Sequence, residues 1–354
     1  APLLRSCHAN PHRGVRLAAL EALAATKDLA SFQMHNIACP ALWVASFDES
    51  EENAELGQEL YKSYCERTNT SITEDYYAQL QPLLNIDGFF PPADPLPHPH
   101  GDVCAAAARA IVGAMKLYPH TQRPVLDALF KLYESHCLPF PIRAEKQANE
   151  NPENIRIRHG VAEVLKALAR LDNIYGEDLE AVIRFIMSKA VGDHSPKLYD
   201  KFLDAGIRIL SALGGQYIDK LHTLLEKYID APAATELLQS RTRQTAVILL
   251  GTLAQHVSPE DPRIKAIVST LLEELHTPSE AVQKAIANNL AVIIQRIPSE
   301  AEQLLRPCLE LCLTGADYGD RRGGAYGLAG LVKGLKPIAL SKYPFIMAEL
   351  EKAA

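Results

Sequence analysis

Apolar residues return along this chain at three- and four-residue intervals, the rhythm of helices that bury one face. "VRLAALEALAATKDLASF" places Val15, Leu17, Ala18, Leu20 and Leu23 at such spacings, and similar patterns fill 103–118, 161–175, 178–191, 202–215, 244–257, 263–275 and 281–297. No stretch alternates as a half-buried strand would, so the pattern predicts an all-helical chain. Between the helices stand "GDHSP", "SPEDP", "TPSE" and "IPSE", which join a proline to Ser, Thr or Asp. Such residues predict capped turns, because a side-chain oxygen there can accept from an unpaired first-turn amide.

A small residue early in successive helices gives a register: Ala18, Ala106, Gly160, Ala205, Ala246, Ala285 and Gly324, at intervals of 88, 54, 45, 41, 39 and 39 residues. The last four fall close to the ~40–47 residues of a HEAT or armadillo unit, and 88 is two such units with one anchor blurred. Helix pairs that cannot bury their apolar faces alone must stack on neighbours. The expected fold is therefore an all-α, HEAT/armadillo-type α-solenoid, a right-handed superhelix of antiparallel helix pairs. One continuous array over 1–354, of about seven to eight pairs, is expected, with loops near 85–102 and 138–156 where prolines and polar residues collect.

The most apolar run, "IACPALWVASF", has 11 residues, against about 20 for a bilayer span. No membrane segment is expected. The chain opens on Ala1 without methionine or an apolar signal core and reads as an internal piece of something longer. Seven cysteines, an odd number scattered through helical patterns, read as reduced thiols of a cytosolic or nuclear protein. A formal charge of -7 gives no global pull toward nucleic acid.

"GDRRGGAYGLAGLVKG", 319–334, is the most unusual segment. It is helical in rhythm yet rich in glycine, although each interior glycine costs about 1 kcal/mol relative to alanine. Lys333 lacks the flanking Gly and Ser/Thr of a phosphate loop, and no strand precedes it. On a helical wheel Gly323, Gly327, Gly330 and Gly334 fall within about 60° of arc. That stripe is expected to let a neighbouring backbone pack close. Leu328, Leu331, Val332 and Leu335 would face the core, with Arg322, Tyr326 and Lys333 on a third side, either as a partner surface or as an ordinary solvated face.

Catalytic and metal patterns are weak. "CHANPH" (Cys7, His8, His12) and "HPHGDVC" (His98, His100, Cys104) lack zinc spacing. Cys308 and Cys312 suit an apolar face, and Asp193, His194 and Ser195 are adjacent in a capping turn rather than convergent. The acidic run at 47–59 suits a helix start. No enzyme, cofactor or small-molecule substrate is expected. Basic pairs do recur at helix starts: Arg13 and Arg16, Arg156 and Arg158, Arg241 and Arg243, Arg321 and Arg322. In a repeat array these either form a discontinuous rim for RNA phosphate or bond to the neighbouring turn or repeat.

"GDRRGGAYGLAGLVKGL", with "TPSEAVQKAIANNLAVIIQ" and "RTRQTAVILLGTLAQHVSPEDPRIKAIVSTLLEEL" before it, resembles the general control non-derepressible protein one family. "LWVASFDE" and "RPVLDALFKLYE" resemble it in the same order. The resemblance implies an internal piece of a large HEAT-repeat translational activator, just ahead of its elongation-factor-three-like segment. It implies a cytoplasmic, non-catalytic, ribosome-associated role, with contacts to ribosomal RNA and proteins. The family's role is to help a stress kinase phosphorylate initiation factor two alpha during amino-acid starvation or ribosome stalling. Kinase and ATP-binding-cassette partners would engage other parts of such a protein. A HEAT-repeat transport receptor or phosphatase-type scaffold is the alternative.

Overall fold

The computed structural model describes residues 2–10, 12–26, 35–85, 100–137, 151–336 and 341–353. Among the described residues every regular element is a helix. Two compact units are distinguished, Ala1–Phe185 with Asp193–Ala205, and Ile186–Gly192 with Gly206–Ala354.

In the first unit the chain forms α1 (Pro2–Ala9), α2 (Arg13–Ala25), α3 (His35–Ala45), α4 (Glu51–Thr68), α5 (Tyr76–Leu80), α6 (His100–Leu117), α7 (Gln122–His136) and α8 (Pro152–Ala167). Helices α9 (Gly176–Ser188) and α10 (Pro196–Leu213) contribute residues to both units. α1 packs on α2 and α3, and α4 packs on α2 and α3, around Leu4, Leu20, Leu23, Leu42 and Tyr64. Each such leucine, removed from water, stabilises the unit by about 1.5–3 kcal/mol. α8 packs on α6 and α7. Its Gly160 lies so near the turn Gln81–Asn85 that a Cβ there would stand 2.8 Å from the Leu84 carbonyl oxygen.

The second unit continues with α11 (Ile218–Ile229), α12 (Glu236–Leu253), α13 (Arg263–Glu273), α14 (Glu280–Arg296), α15 (Ala301–Thr314), α16 (Tyr318–Leu335) and α17 (Phe345–Ala353). Helices α12, α14 and α16 stack in that order, and α11, α13 and α15 lie beside them as a second layer. This is the paired-helix layering expected of a HEAT array.

The expected capping turns form through their aspartates in "GDHSP" and "SPEDP" but not through Ser279 of "TPSE". Asp193 Oδ1 accepts from the Ser195 amide and Asp261 Oδ1 from the Arg263 amide, each at 2.9 Å, whereas Ser279 makes no side-chain cap. Thr235 and Asp317 cap α12 and α16 through the amides of Leu238 and Asp320. Of the two expected loops, 86–99 and 138–150 lie outside the described residues. The second ends before its expected limit of 156, because Asn151 accepts from the Glu153 amide at 2.9 Å and starts α8 at Pro152.

Candidate functional site

The recurrent arginines fall into distinct classes once placed. Arg16 is 2% exposed. Its Nε and Nη2 donate to the Asp48 carboxylate at 2.5 and 3.0 Å, and its Nη1 to the Asn10 carbonyl at 2.9 Å. Burial alone would raise the Asp48 carboxyl, but hydrogen bonds from Arg16 and from the Ser50 amide outweigh it and hold it below the ordinary carboxylate range.

Arg158 is fully buried. Its Nη1 donates to the His136 carbonyl at 2.8 Å, and its Nε lies 3.0 Å from Asp193 Oδ2, which also accepts from the Tyr133 hydroxyl at 2.9 Å. Arg243 repeats the theme on the surface, with Nε 3.1 Å from Glu274 and Nη1 3.4 Å from Asp230. Asp48, Asp193 and Glu274 each stand 31 to 35 residues beyond their arginine. These arginines therefore tie a helix to a later turn. The expectation that Arg16 and Arg158 join a phosphate-facing rim is corrected, because neither guanidinium reaches solvent and each already has its carboxylate.

The other basic candidates stand differently. Arg156 and Arg241 are half-buried and engaged within the chain. Arg13 is exposed, with a 3.4 Å pair to Glu52 whose side chains are 65% and 60% exposed, an arrangement that contributes little. Arg321 is exposed and rests one nitrogen on the Gly315 carbonyl at 2.9 Å; Lys333 is exposed on the same helix.

Arg322 and Tyr326 bind α14 and the turn before it instead of standing free. Arg322 Nε donates to Gln283 Oε1 at 2.8 Å and Nη2 to the Pro278 carbonyl at 2.6 Å, while the Tyr326 hydroxyl donates to Glu280 at 2.7 Å. Gln283 is itself fully buried, and its Nε2 lies within 3.0 Å of the Leu275, Thr277 and Gly319 carbonyls. The same side chain thus holds the turn before α14 to the start of α16. Lys284 sits 5.6 Å over the Tyr326 ring and 2.7 Å from Glu280.

The glycines of α16 explain how this network closes. A Cβ on Gly330 would stand 2.9 Å from Ala287 Cα, and one on Gly334 would stand 3.0 Å from the Ala291 carbonyl carbon. One on Gly323 would collide with the Leu275 carbonyl oxygen. Gly327 meets side chains instead, Leu275 Cδ1 at 2.6 Å and Cys308 Sγ at 2.8 Å. Gly324, outside the sequence-derived stripe, abuts the α15 backbone, with the Cys308 carbonyl oxygen at 2.7 Å. Leu328 and Leu331 are buried, but Val332 and Leu335 are only half-buried.

No set of three or more His, Cys, Asp or Glu among the described residues could hold a metal ion. His98 lies outside the described residues. Burial pushes the Cys7 thiol up to about 12 and the His8 imidazole down to about 4, and His8 Nδ1 lies 2.6 Å from the Leu4 carbonyl. All seven cysteines are free. No described helix is long and apolar enough to cross a membrane.

Residues 27–255 match the family model described as stalled ribosome sensor GCN1, HEAT repeats. The chain is 31% identical over 307 residues to Protein ILITYHIA of Arabidopsis thaliana, covering 86% of this chain and 10% of that protein. It is 28% identical over 312 residues to human stalled ribosome sensor GCN1, covering 87% and 11%. It is 25% identical over 355 residues to the eIF-2-alpha kinase activator GCN1 of Saccharomyces cerevisiae, covering 97% and 12%. It spans about a tenth of the length of these curated relatives. Among solved structures, the Kap95p–RanGDP complex matches with a TM-score of 0.50 at 14% identity, over 99% of this chain and 43% of that one, a likeness of fold alone.

Proposed function

Since the chain belongs to the family of stalled ribosome sensor GCN1 HEAT repeats, we propose that it serves as a non-catalytic scaffold segment of a ribosome-associated translational activator. The relatives are sensor and activator proteins rather than enzymes, and stacked helix pairs offer extended surface and fixed spacing. The match over 27–255 carries this reading. In it, the protein resides on cytoplasmic ribosomes and promotes phosphorylation of initiation factor two alpha by its stress kinase. Contacts to the kinase and to an ATP-binding-cassette partner are assigned to no residue of this chain. The ribosome is met by those of the candidate bases that stay exposed, Arg13, Arg321 and Lys333, with rRNA phosphate and ribosomal protein as the opposing surface.

Pelleting of the 354-residue chain with ribosomes tests this. Association is expected to fall steeply between about 50 and 200 mM salt, as counterion release requires, and to weaken in Arg321→Glu combined with Lys333→Glu. Association that is absent, or indifferent to salt and to both substitutions, overturns the assignment of these bases to the ribosome.

A further inference from the structure

Residues 46–50 join α3 to α4, and the two helices pack against each other. Gly57 lets them come close, since a Cβ there would stand 2.6 Å from the Ala45 carbonyl carbon and 2.8 Å from the Ser46 amide nitrogen. Across the same pair of helices the Cys39 and Cys65 thiols are hydrogen-bonded to each other, and the Tyr61 hydroxyl bonds to both sulfurs. Tyr61 also accepts from the Ile72 amide at 3.0 Å, which fixes its oxygen beside them. Cys39 is 4% exposed, whereas Cys65 is half-buried. The unit thus holds two free thiols in contact, one enclosed and one reachable from water. Cysteines are bridged only where their Cα atoms come within about 7 Å, and thiols that already touch across adjacent helices are placed for it.

We propose that Cys39 and Cys65 form a site of reversible oxidation, at which a hydroperoxide converts the two thiols into an intrachain disulfide that clamps α3 to α4. Cys65 reacts first, because solvent reaches its sulfur. That sulfur attacks one oxygen of hydrogen peroxide: an S–O bond forms, the O–O bond breaks, and the departing hydroxide takes the thiol proton and leaves as water. The Cys39 sulfur then attacks the Cys65 sulfenic acid: an S–S bond forms, the S–O bond breaks, and the hydroxyl leaves with the Cys39 proton as a second water. The sulfurs together lose two electrons, which the peroxide gains. Burial pushes the Cys39 thiol up to about 12 and raises the Cys65 thiol too, although the Tyr61 hydroxyl, donating to either sulfur, works against the rise. Neither sulfur is therefore a ready thiolate at neutral pH, and the first step is slow. The second step joins groups already in contact and is fast. Such a pair records prolonged exposure to oxidant and spares Cys65 the sulfinic and sulfonic acids, which thiols do not reverse. This assignment does not depend on the ribosome reading.

The test treats the reduced 354-residue chain with hydrogen peroxide, quenches with N-ethylmaleimide and reads its peptides by mass spectrometry. A linked pair joining Cys39 to Cys65 is expected, two hydrogens lighter than the reduced pair and restored by dithiothreitol. Cys137 and Cys312, also half-buried, are expected to carry no such link. In Cys39→Ala, checked for native helix content by circular dichroism, Cys65 is expected to pass on to sulfinic acid at peroxide doses that give the disulfide in the wild type. In Cys65→Ser, Cys39 is expected to stay a thiol. A wild-type chain whose Cys137 is oxidised while Cys39 and Cys65 remain unlinked, or in which Cys65 reaches sulfinic acid as readily as in Cys39→Ala, overturns the proposal.

Discussion

Alanine at Gly330 adds a single methyl where α16 crosses α14, and the structure determines what that methyl meets. Its carbon would stand 2.9 Å from both the Cα and the carbonyl carbon of Ala287, and closer still to the carbonyl oxygen. Ordinary carbon contacts are about 3.5–4.0 Å, so the two helices must part locally by more than about half an ångström. Backbone atoms cannot swing aside as a side-chain end can. The cost therefore falls in the upper half of the ~1–3 kcal/mol typical of overpacking. Against it stands the ~1 kcal/mol of helix propensity that alanine regains over glycine. The net expectation is a loss of about 1–2 kcal/mol. Gly327→Ala is the control: its methyl meets the movable Leu275 Cδ1 and Cys308 Sγ, so propensity and displacement nearly cancel, to within about 0.5 kcal/mol. Urea unfolding followed by far-UV circular dichroism, with amide exchange of peptides from α14 and α16, measures both. The only tryptophan, Trp43, belongs to the first unit and does not report on this contact. A Gly330→Ala protein as stable as wild type, or a Gly327→Ala protein less stable than Gly330→Ala, refutes the reasoning.

Two further outcomes follow from the buried charges of the first unit. Asp193→Asn leaves the Arg158 guanidinium buried without its carboxylate and is expected to cost about 3–5 kcal/mol, read as a lower urea midpoint; Tyr133→Phe, which removes one hydrogen bond to Asp193, is expected to cost less. At Glu163, burial would raise the carboxyl, but hydrogen bonds from His159 and Lys201 and the charges of Lys201 and Lys166 bring it down to about 2. A carboxyl lowered on folding stabilises the protein above its unfolded value, near 4.5, and that contribution disappears as pH falls toward 2. Glu163→Gln is therefore expected to flatten the fall in stability between those limits, and an unchanged acid profile in thermal unfolding contradicts this.

The helices and their pairing into layers were legible because each rests on a periodic signal, apolar spacing, proline-marked turns and recurrence near forty residues, whereas the family was legible only through the resemblance of particular runs such as "GDRRGGAYGLAGLVKGL". The polar ties were not. Gln283 stands in "AVQKAIANN" where nothing marks it as buried, since the carbonyls that accept from it come from the turn before α14 and from the start of α16, far away in sequence. Arg16 and Arg321 look alike in sequence, yet one is enclosed with Asp48 and the other faces water. The missed signal was the carboxylate 31 to 35 residues downstream of Arg16, Arg158 and Arg243. Gly324 escaped the helical-wheel stripe because a wheel assumes one close neighbour, whereas α16 packs on both α14 and α15.

In the proposed role, buried arginines keep the repeats together while exposed bases meet the ribosome. A density map of this chain bound to stalled ribosomes tests that division most directly. Arg321 and Lys333 are expected within reach of rRNA phosphate or acidic ribosomal side chains, with Arg16–Asp48 and Arg158–Asp193 still paired. A map in which Arg158 or Arg16 has left its carboxylate for RNA, or in which Arg321 and Lys333 face open solvent on the bound chain, contradicts it.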